Sequence, residues 1–182
     1  PKALQPDIPT IIDGFSPKNF SHDYDGAVAA DQALIRSLNI PAVHMLRKYR
    51  YEKFHSLLKN IGMTTLRFSP DHYGLSLILG GSEATLWDIT GMYASMARTL
   101  NHYFDYAGSL RYSKTDFHLP AYVQYQEDDP MLERTSWLSA ASIYQTFEAL
   151  TEVYRPGEET GLQYFDNAKK IALKTGTSLD RK

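Results

Sequence analysis

Two short stretches bring together residue types that could do chemistry. The first is Lys174-Thr175-Gly176-Thr177-Ser178, introduced by the apolar run Ile171-Ala172-Leu173. An ammonium, two threonine hydroxyls and a glycine that admits a ligand to the backbone could together grip a carboxylate. Strand N–H groups beside them could hold a developing oxyanion. An exposed edge strand with a polar tip has the same composition, and a short motif does not choose between the two readings.

The second stretch is Ser37-Leu38-Asn39 in "RSLNIPAV". It falls where a helix is expected to break, and Pro41 suits the first position of the next one. A hydroxyl and a carboxamide at such a break can point into a cleft, although capping a helix is their commoner use. A Ser-x-x-Lys, the pattern of an activated serine, occurs at Ser56-Leu57-Leu58-Lys59. At about 100° per residue, Ser56 lies opposite the Phe54/Leu57/Leu58/Ile61 face of its helix and Lys59 is also off that face. Both read as solvated surface residues.

The elements that must position these groups follow from the pattern. Residues 1–27 hold Pro1, Pro6, Pro9 and Pro17 with Asp13-Gly14 and Asp25-Gly26, which predicts extended chain and turns. Helices are expected over about 28–36, from Pro41 onward, and over about 51–61, the last ended by Gly62. Thr85 and Asp88 form a capping-box pattern opening a longer helix. Its stripe Leu86, Ile89, Tyr93, Met96 and Leu100 is expected to face the core. The tyrosine-rich residues 101–130, broken by Gly108, Pro120 and Pro130, read as loops or short strands. A helix over about 136–154 precedes Pro156-Gly157, a linker and the terminal strand. This order predicts an α+β fold. A lone strand is not stable, so its partners are expected outside this sequence.

Composition excludes several classes. With 19 Lys+Arg against 21 Asp+Glu the net charge is −2, and no basic cluster suggests a nucleic-acid partner. Without cysteine there is no disulfide framework, thiolate metal site or cysteine nucleophile. The six histidines form no ligand pattern, so neither a metal nor another cofactor is expected. "DYDG" at 23–26 lacks the rest of a calcium loop and reads as a turn. Gly80-Gly81 lacks nucleotide-loop spacing and reads as the turn before the Thr85 helix. No run of 18 apolar residues and no basic-then-apolar leader is present. The chain reads as a piece of something longer.

Taken together and in order, Ser-x-Asn at 37–39 and Lys-Thr-Gly at 174–176 match two of the three parts of the active-serine penicillin-recognising site. "ALIRSLNIPAVHML", "LILGGSEATLWDITGMYASMA" and "KIALKTGTS" extend the likeness. So does the broken start "DIPTIIDGFSPKNF". The chain resembles the transpeptidase domain of class A penicillin-binding proteins, most closely their 1C branch, over nearly all its length. The match is weakest in the tyrosine-rich middle. After Lys-Thr-Gly-Thr-Ser the family usually continues through an aromatic- and glycine-bearing turn to Arg-Asp-Ala-Trp, whereas Leu179-Asp180-Arg181-Lys182 follows here.

The resemblance implies an antiparallel sheet flanked by helices, the fold shared with serine β-lactamases. Residues 1–182 would be a mostly helical part of it, ending in the Lys-Thr-Gly strand. It implies a D-Ala-D-Ala transpeptidase that binds peptidoglycan stem peptides and β-lactams. Ser37, Asn39 and Lys174 would be catalytic, and Thr175, Gly176, Thr177 and Ser178 would bind substrate. The nucleophile would lie before Pro1, because the family places Ser-x-x-Lys ahead of Ser-x-Asn. It further implies a glycosyltransferase domain and an N-terminal membrane anchor outside these residues, on the periplasmic side of a bacterial inner membrane. A β-lactamase or penicillin sensor of the same fold, and a non-catalytic wall-binding module that keeps the carboxylate grip, are the alternatives.

Overall fold

The computed structural model describes residues 1–106, 108–122, 131–153 and 170–176. It is mixed helix and small antiparallel sheets, compatible with the expected α+β class. The chain divides into two compact units, Pro1–Met45 with Gln145–Lys182, and Leu46–Tyr144.

In the first unit, β1 (Leu4–Asp7) pairs antiparallel with β2 (Gly26–Ala29), with Leu4 opposite Ala29 and Asp7 opposite Gly26. The proline- and glycine-broken start is thus extended chain and turns, as its composition predicts. The helix expected from residue 28 begins two residues later, because β2 claims Val28 and Ala29. It is α1 (Ala30–Ile35), and it packs Ala33 against Val28 and Leu38.

The next helix, α2 (Asn39–Tyr49), begins at Asn39 and has Pro41 in its first turn, where the missing N–H costs no helical bond. Ile40 and Val43 are fully buried. The other helix of this region, α6 (Ala140–Leu150), is shorter than the expected 136–154. Its expected last residue, Tyr154, lies outside the described residues.

Residues 170–176, the described part of the expected terminal strand, belong to no ladder here, and the partners were expected outside this sequence. Among the described residues no strand runs beside 170–176, and a strand exists only through its ladder. A backbone hydrogen bond from Leu173 N–H to the Leu150 carbonyl, 3.1 Å, ties this segment to the end of α6 instead.

In the second unit, Leu46, Met63, Leu66, Tyr73 and Leu77 form the core. The helix α3 (Tyr51–Asn60) lays Phe54 and Leu58 on it, as its periodicity predicts. A short α4 (Pro70–Tyr73) and a 3₁₀ turn (Gly74–Leu79) follow. Gly80 closes that turn at φ +88°. A Cβ on Gly81 would stand 2.8 Å from the backbone of Ser76, so both glycines shape the approach to the next helix.

That helix, α5 (Leu86–Asp105), starts where expected, with Thr85 Oγ1 accepting from Asp88 N–H at 3.0 Å. Its predicted apolar stripe is not the buried one. Leu86 is 83% exposed, and Ile89 and Tyr93 are exposed as well, while Asp88, Gly91, Ser95 and Thr99 are buried. The reason is close approach. A Cβ on Gly91 would lie 2.9 Å from Pro120 Cδ and 3.3 Å from Leu119 Cα, so only small side chains fit beneath residues 118–120. Most polar groups on this face are satisfied in place, while Asp116 Oδ2, buried against it, has no hydrogen-bond partner among the described residues. Ser95 Oγ donates to Gly91 O at 2.7 Å, Arg98 reaches the carbonyls of Asp116 and His118, and His102 pairs with buried Asp116 at 2.5 Å. Beyond it, β3 (Tyr112–Ser113) and β4 (Leu132–Glu133) form a second antiparallel pair; β3 falls within the 101–130 stretch expected to hold loops or short strands, and β4 just after it.

Candidate functional site

The end of α1 explains where Ser37 stands. Leu38 N–H donates to Ala33 O at 2.9 Å and Ser37 N–H to Leu34 O at 3.2 Å, the two bonds of a Schellman ending. Ser37 occupies the position usually taken by glycine, at φ +55°. Leu38 and Ala33 supply the accompanying apolar contact. A serine held left-handed costs about 1–2 kcal/mol relative to ordinary backbone. The helix break expected here is therefore real, and it is strained.

This geometry turns the Ser37 hydroxyl toward the terminal segment. The Lys174 ammonium donates to Ser37 Oγ and, at 2.9 Å, to the Thr175 carbonyl. Ser37 Oγ also lies 3.3 Å from Thr175 Oγ1. An ammonium and two hydroxyls thus form one cluster, although 137 residues separate Lys174 from Ser37 in the chain. Lys174 is exposed as a residue, yet burial around its ammonium lowers its pKa from the ordinary lysine value. A cation on the oxygen of Ser37 leaves that hydroxyl's own proton free for another acceptor, which suits a proton relay next to an anion-binding group.

Asn39, two residues on from Ser37 at the start of α2, bonds elsewhere. Its Nδ2 donates to the Lys18 carbonyl at 2.8 Å. A Cβ on Gly176 would meet no atom within 4 Å, so packing among the described residues does not demand glycine there. Thr177 and Ser178 lie outside the described residues. Ser56 is exposed, and its hydroxyl donates back to Glu52 O at 3.0 Å within its own helix. Lys59 is exposed too, as the helical phase predicts.

Comparison with known proteins bears on what this cluster belongs to. The chain is 32% identical, over 98% of its residues, to penicillin-binding protein 1C of Escherichia coli (strain K12). This chain is a penicillin-binding protein 1C-like sequence. It spans 20% of the length of that relative. No family model matches the chain. The likeness includes both motif-bearing stretches, since it leaves almost none of the chain out. Among the described residues no helix is long and apolar enough to cross a membrane.

Sequence reasoning missed the groups that hold this 1C-like Ser-x-Asn stretch in place. Asp7 and Asn19 are 1% and 2% exposed, and Asn19 Nδ2 donates to Asp7 Oδ1 at 2.7 Å. Asp25 pairs with Arg36, the residue before Ser37. In a segment full of prolines and glycines, aspartate and asparagine read as turn formers. The one signal against that reading is the place of Asp7 directly after an extended Gln5-Pro6, where a turn is not needed.

Proposed function

We propose that these residues are part of a peptidoglycan D,D-transpeptidase domain that cross-links stem peptides through a serine acyl-enzyme and is acylated by β-lactams. The observation that carries this reading is the joining of Lys174, Thr175 and Ser37, from opposite ends of the chain, into one cationic, hydroxyl-lined cluster. The 32% identity to a protein named for binding penicillin supports it.

In the reaction, a serine Oγ attacks the carbonyl of the penultimate D-alanine. The C–N bond breaks, and the terminal D-alanine leaves with a proton on its amine. An amine from a neighbouring stem then attacks the ester; the C–O bond breaks, a new amide forms, and the proton shed by the amine returns to the serine. Ser37, polarised by Lys174, relays the proton toward the leaving amine. Lys174 adds positive potential for the substrate carboxylate, which the hydroxyls of Thr175 and Thr177 grip. The Thr177 N–H contributes to the oxyanion hole. Asn39 turns its carboxamide oxygen to the donor peptide's amide, since its Nδ2 is held by Lys18 O.

The nucleophile is expected outside residues 1–182. The exposed Ser56, bonded to its own helix, does not provide it. The whole protein would act at the outer face of a bacterial inner membrane and carry a glycosyltransferase domain as well.

Incubating the full-length protein with a labelled penicillin tests the reading. A stable, stoichiometric acyl-enzyme and release of D-alanine from a stem pentapeptide are expected. Rapid loss of the label by hydrolysis would instead make it a β-lactamase, and no labelling would leave a non-catalytic wall-binding module.

A further inference from the structure

The strained Ser37 turn is held from both sides by one buried pair. On the near side, Arg36 pairs with Asp25, and the Asp25 N–H donates to Asp7 Oδ2 at 3.0 Å. On the far side, Ile40 N–H at the start of α2 donates to Asn19 Oδ1 at 3.3 Å, and the Asn19 amide donates to Asp7 Oδ1. Both routes meet at Asp7. Between them lie Ser37, Leu38 and Asn39, with Asn39 fastened to the carbonyl of Lys18, the residue beside Asn19.

Asn19 cannot turn over within this arrangement. Its nitrogen faces two acceptors, Asp7 Oδ1 at 2.7 Å and Asp23 O at 2.9 Å, while its oxygen faces one donor. Flipped, it would set oxygen against two oxygens and N–H against N–H in a site 2% exposed. Hydrogen bonds at this burial are stiff, because an unmade one leaves a desolvated group.

We infer that Asn19, oriented by Asp7, is a positioning residue for the substrate-facing Ser37 and Asn39. The inference rests on the transpeptidase reading above and adds to it. It assigns the proline- and glycine-broken segment 1–27 the task of setting where the relay hydroxyl and the donor-binding carboxamide point. Asn19 touches neither substrate nor reacting atoms; it acts through Ile40 N–H, through Lys18 O, and through Asp7 on Asp25 and Arg36.

The test is the second-order rate of acylation by a labelled penicillin, measured on the full-length protein well below each variant's thermal midpoint. Asn19→Asp keeps the acceptor for Ile40 but sets a second carboxylate against Asp7. It is expected to slow acylation about tenfold. Adding Asp7→Asn returns a donor to the pair, while a carboxylate oxygen still faces Asp23 O, so the double variant is expected to acylate about threefold faster than Asn19→Asp alone. Loss of folding cannot mimic that result, since only folded protein is assayed and rescue follows the hydrogen-bond pattern. A folded Asn19→Asp variant acylating at the wild-type rate overturns the inference. So does a folded double variant no faster than Asn19→Asp alone.

Should Asn19→Asp fail to fold, Asp7→Asn alone decides. It is isosteric and sets an amide N–H against either the Asn19 amide or Asp25 N–H, so acylation about fivefold slower is expected, and the wild-type rate is the contrary result. A wild-type protein that is never acylated removes the transpeptidase reading itself and this inference with it, a result distinct from a silent variant.

Discussion

The Lys174 ammonium donates a hydrogen bond to Ser37 Oγ across 137 residues of sequence, while Thr175 Oγ1 sits 3.3 Å from the same oxygen. Ser37 is therefore held by a cation on one side and a hydroxyl on the other, and it stands on left-handed backbone. A serine whose only task was to end α1 would be better replaced by glycine. Its retention at a strained position beside a lysine fits a demand for the hydroxyl.

That relationship separates stability from activity. Ser37→Gly relieves the left-handed strain and is expected to be about 1 kcal/mol more stable than Ser37→Ala. Both variants lose the hydroxyl to which the proposed function gives the proton relay, and on that reading they are expected to be acylated far more slowly than wild type. Thermal midpoints and acylation rates, measured on the same samples, check the two together.

The lowered pKa of Lys174 has a sign that can be followed. Because burial favours the neutral amine, the charge on Lys174 is lost at a lower pH than the ordinary lysine value of about 10.4. On the proposed reading, attraction for a substrate carboxylate is present below that lowered pKa and disappears as pH rises through it. Acylation by an anionic penicillin should thus fall on an alkaline limb beginning below pH 10.4, and Lys174→Arg, which stays charged, should flatten the limb. A wild-type limb at the ordinary lysine position would contradict this.

Asp88 gives a second pH dependence, in stability rather than activity. Burial raises its pKa, but hydrogen bonds from Thr64 N–H and Oγ, with Thr85, outweigh burial and hold the carboxyl below its ordinary value. A carboxyl depressed in this way stabilises the fold above its unfolded pKa, near 3.9, and loses that contribution as pH falls through the folded value. The thermal midpoint of wild type should drop more steeply with acid in that window than that of Asp88→Asn. At neutral pH, Asp88→Ala is expected to cost about 1–3 kcal/mol, by leaving the Thr64 donors unpaired.

Gly91 tests the buried small face of α5. Gly91→Ala brings a Cβ to 2.9 Å from Pro120 Cδ and 3.3 Å from the Leu119 backbone, so about 1–3 kcal/mol of overpacking is expected. Leu86→Ala, by contrast, removes an 83% exposed side chain and should shift the midpoint little. The periodicity rule predicts the reverse order, and a denaturant series on the two variants distinguishes them.

These cases mark what could be read in advance. The break at Ser37, the Thr85 start of α5, the apolar face of α3 and the solvated Ser56 all follow from local chemistry, and local chemistry is what a sequence pattern reports. The buried face of α5 does not, because it depends on how near residues 118–120 come, a tertiary fact without periodicity. The terminal strand is a non-local matter too: its partners were expected outside residues 1–182, and 170–176 run beside no strand among the described residues. Asp7 and Asn19 were hidden by their setting, since the residues that make turns also make buried networks. The 37–39 and 174–176 motifs were visible as types and order, while their contact rests on the fold.

The central claim is that Ser37, Lys174 and Thr175 form one wall of a penicillin-recognising site whose nucleophile is another serine. The most direct test is acylation of the full-length protein by a penicillin, with the adduct mapped by peptide mass and the rate compared with Lys174→Ala. The account predicts an adduct outside residues 1–182 and a rate lowered at least about a hundredfold by the substitution. An adduct on Ser56, or a Lys174→Ala protein acylated at the wild-type rate, would contradict it.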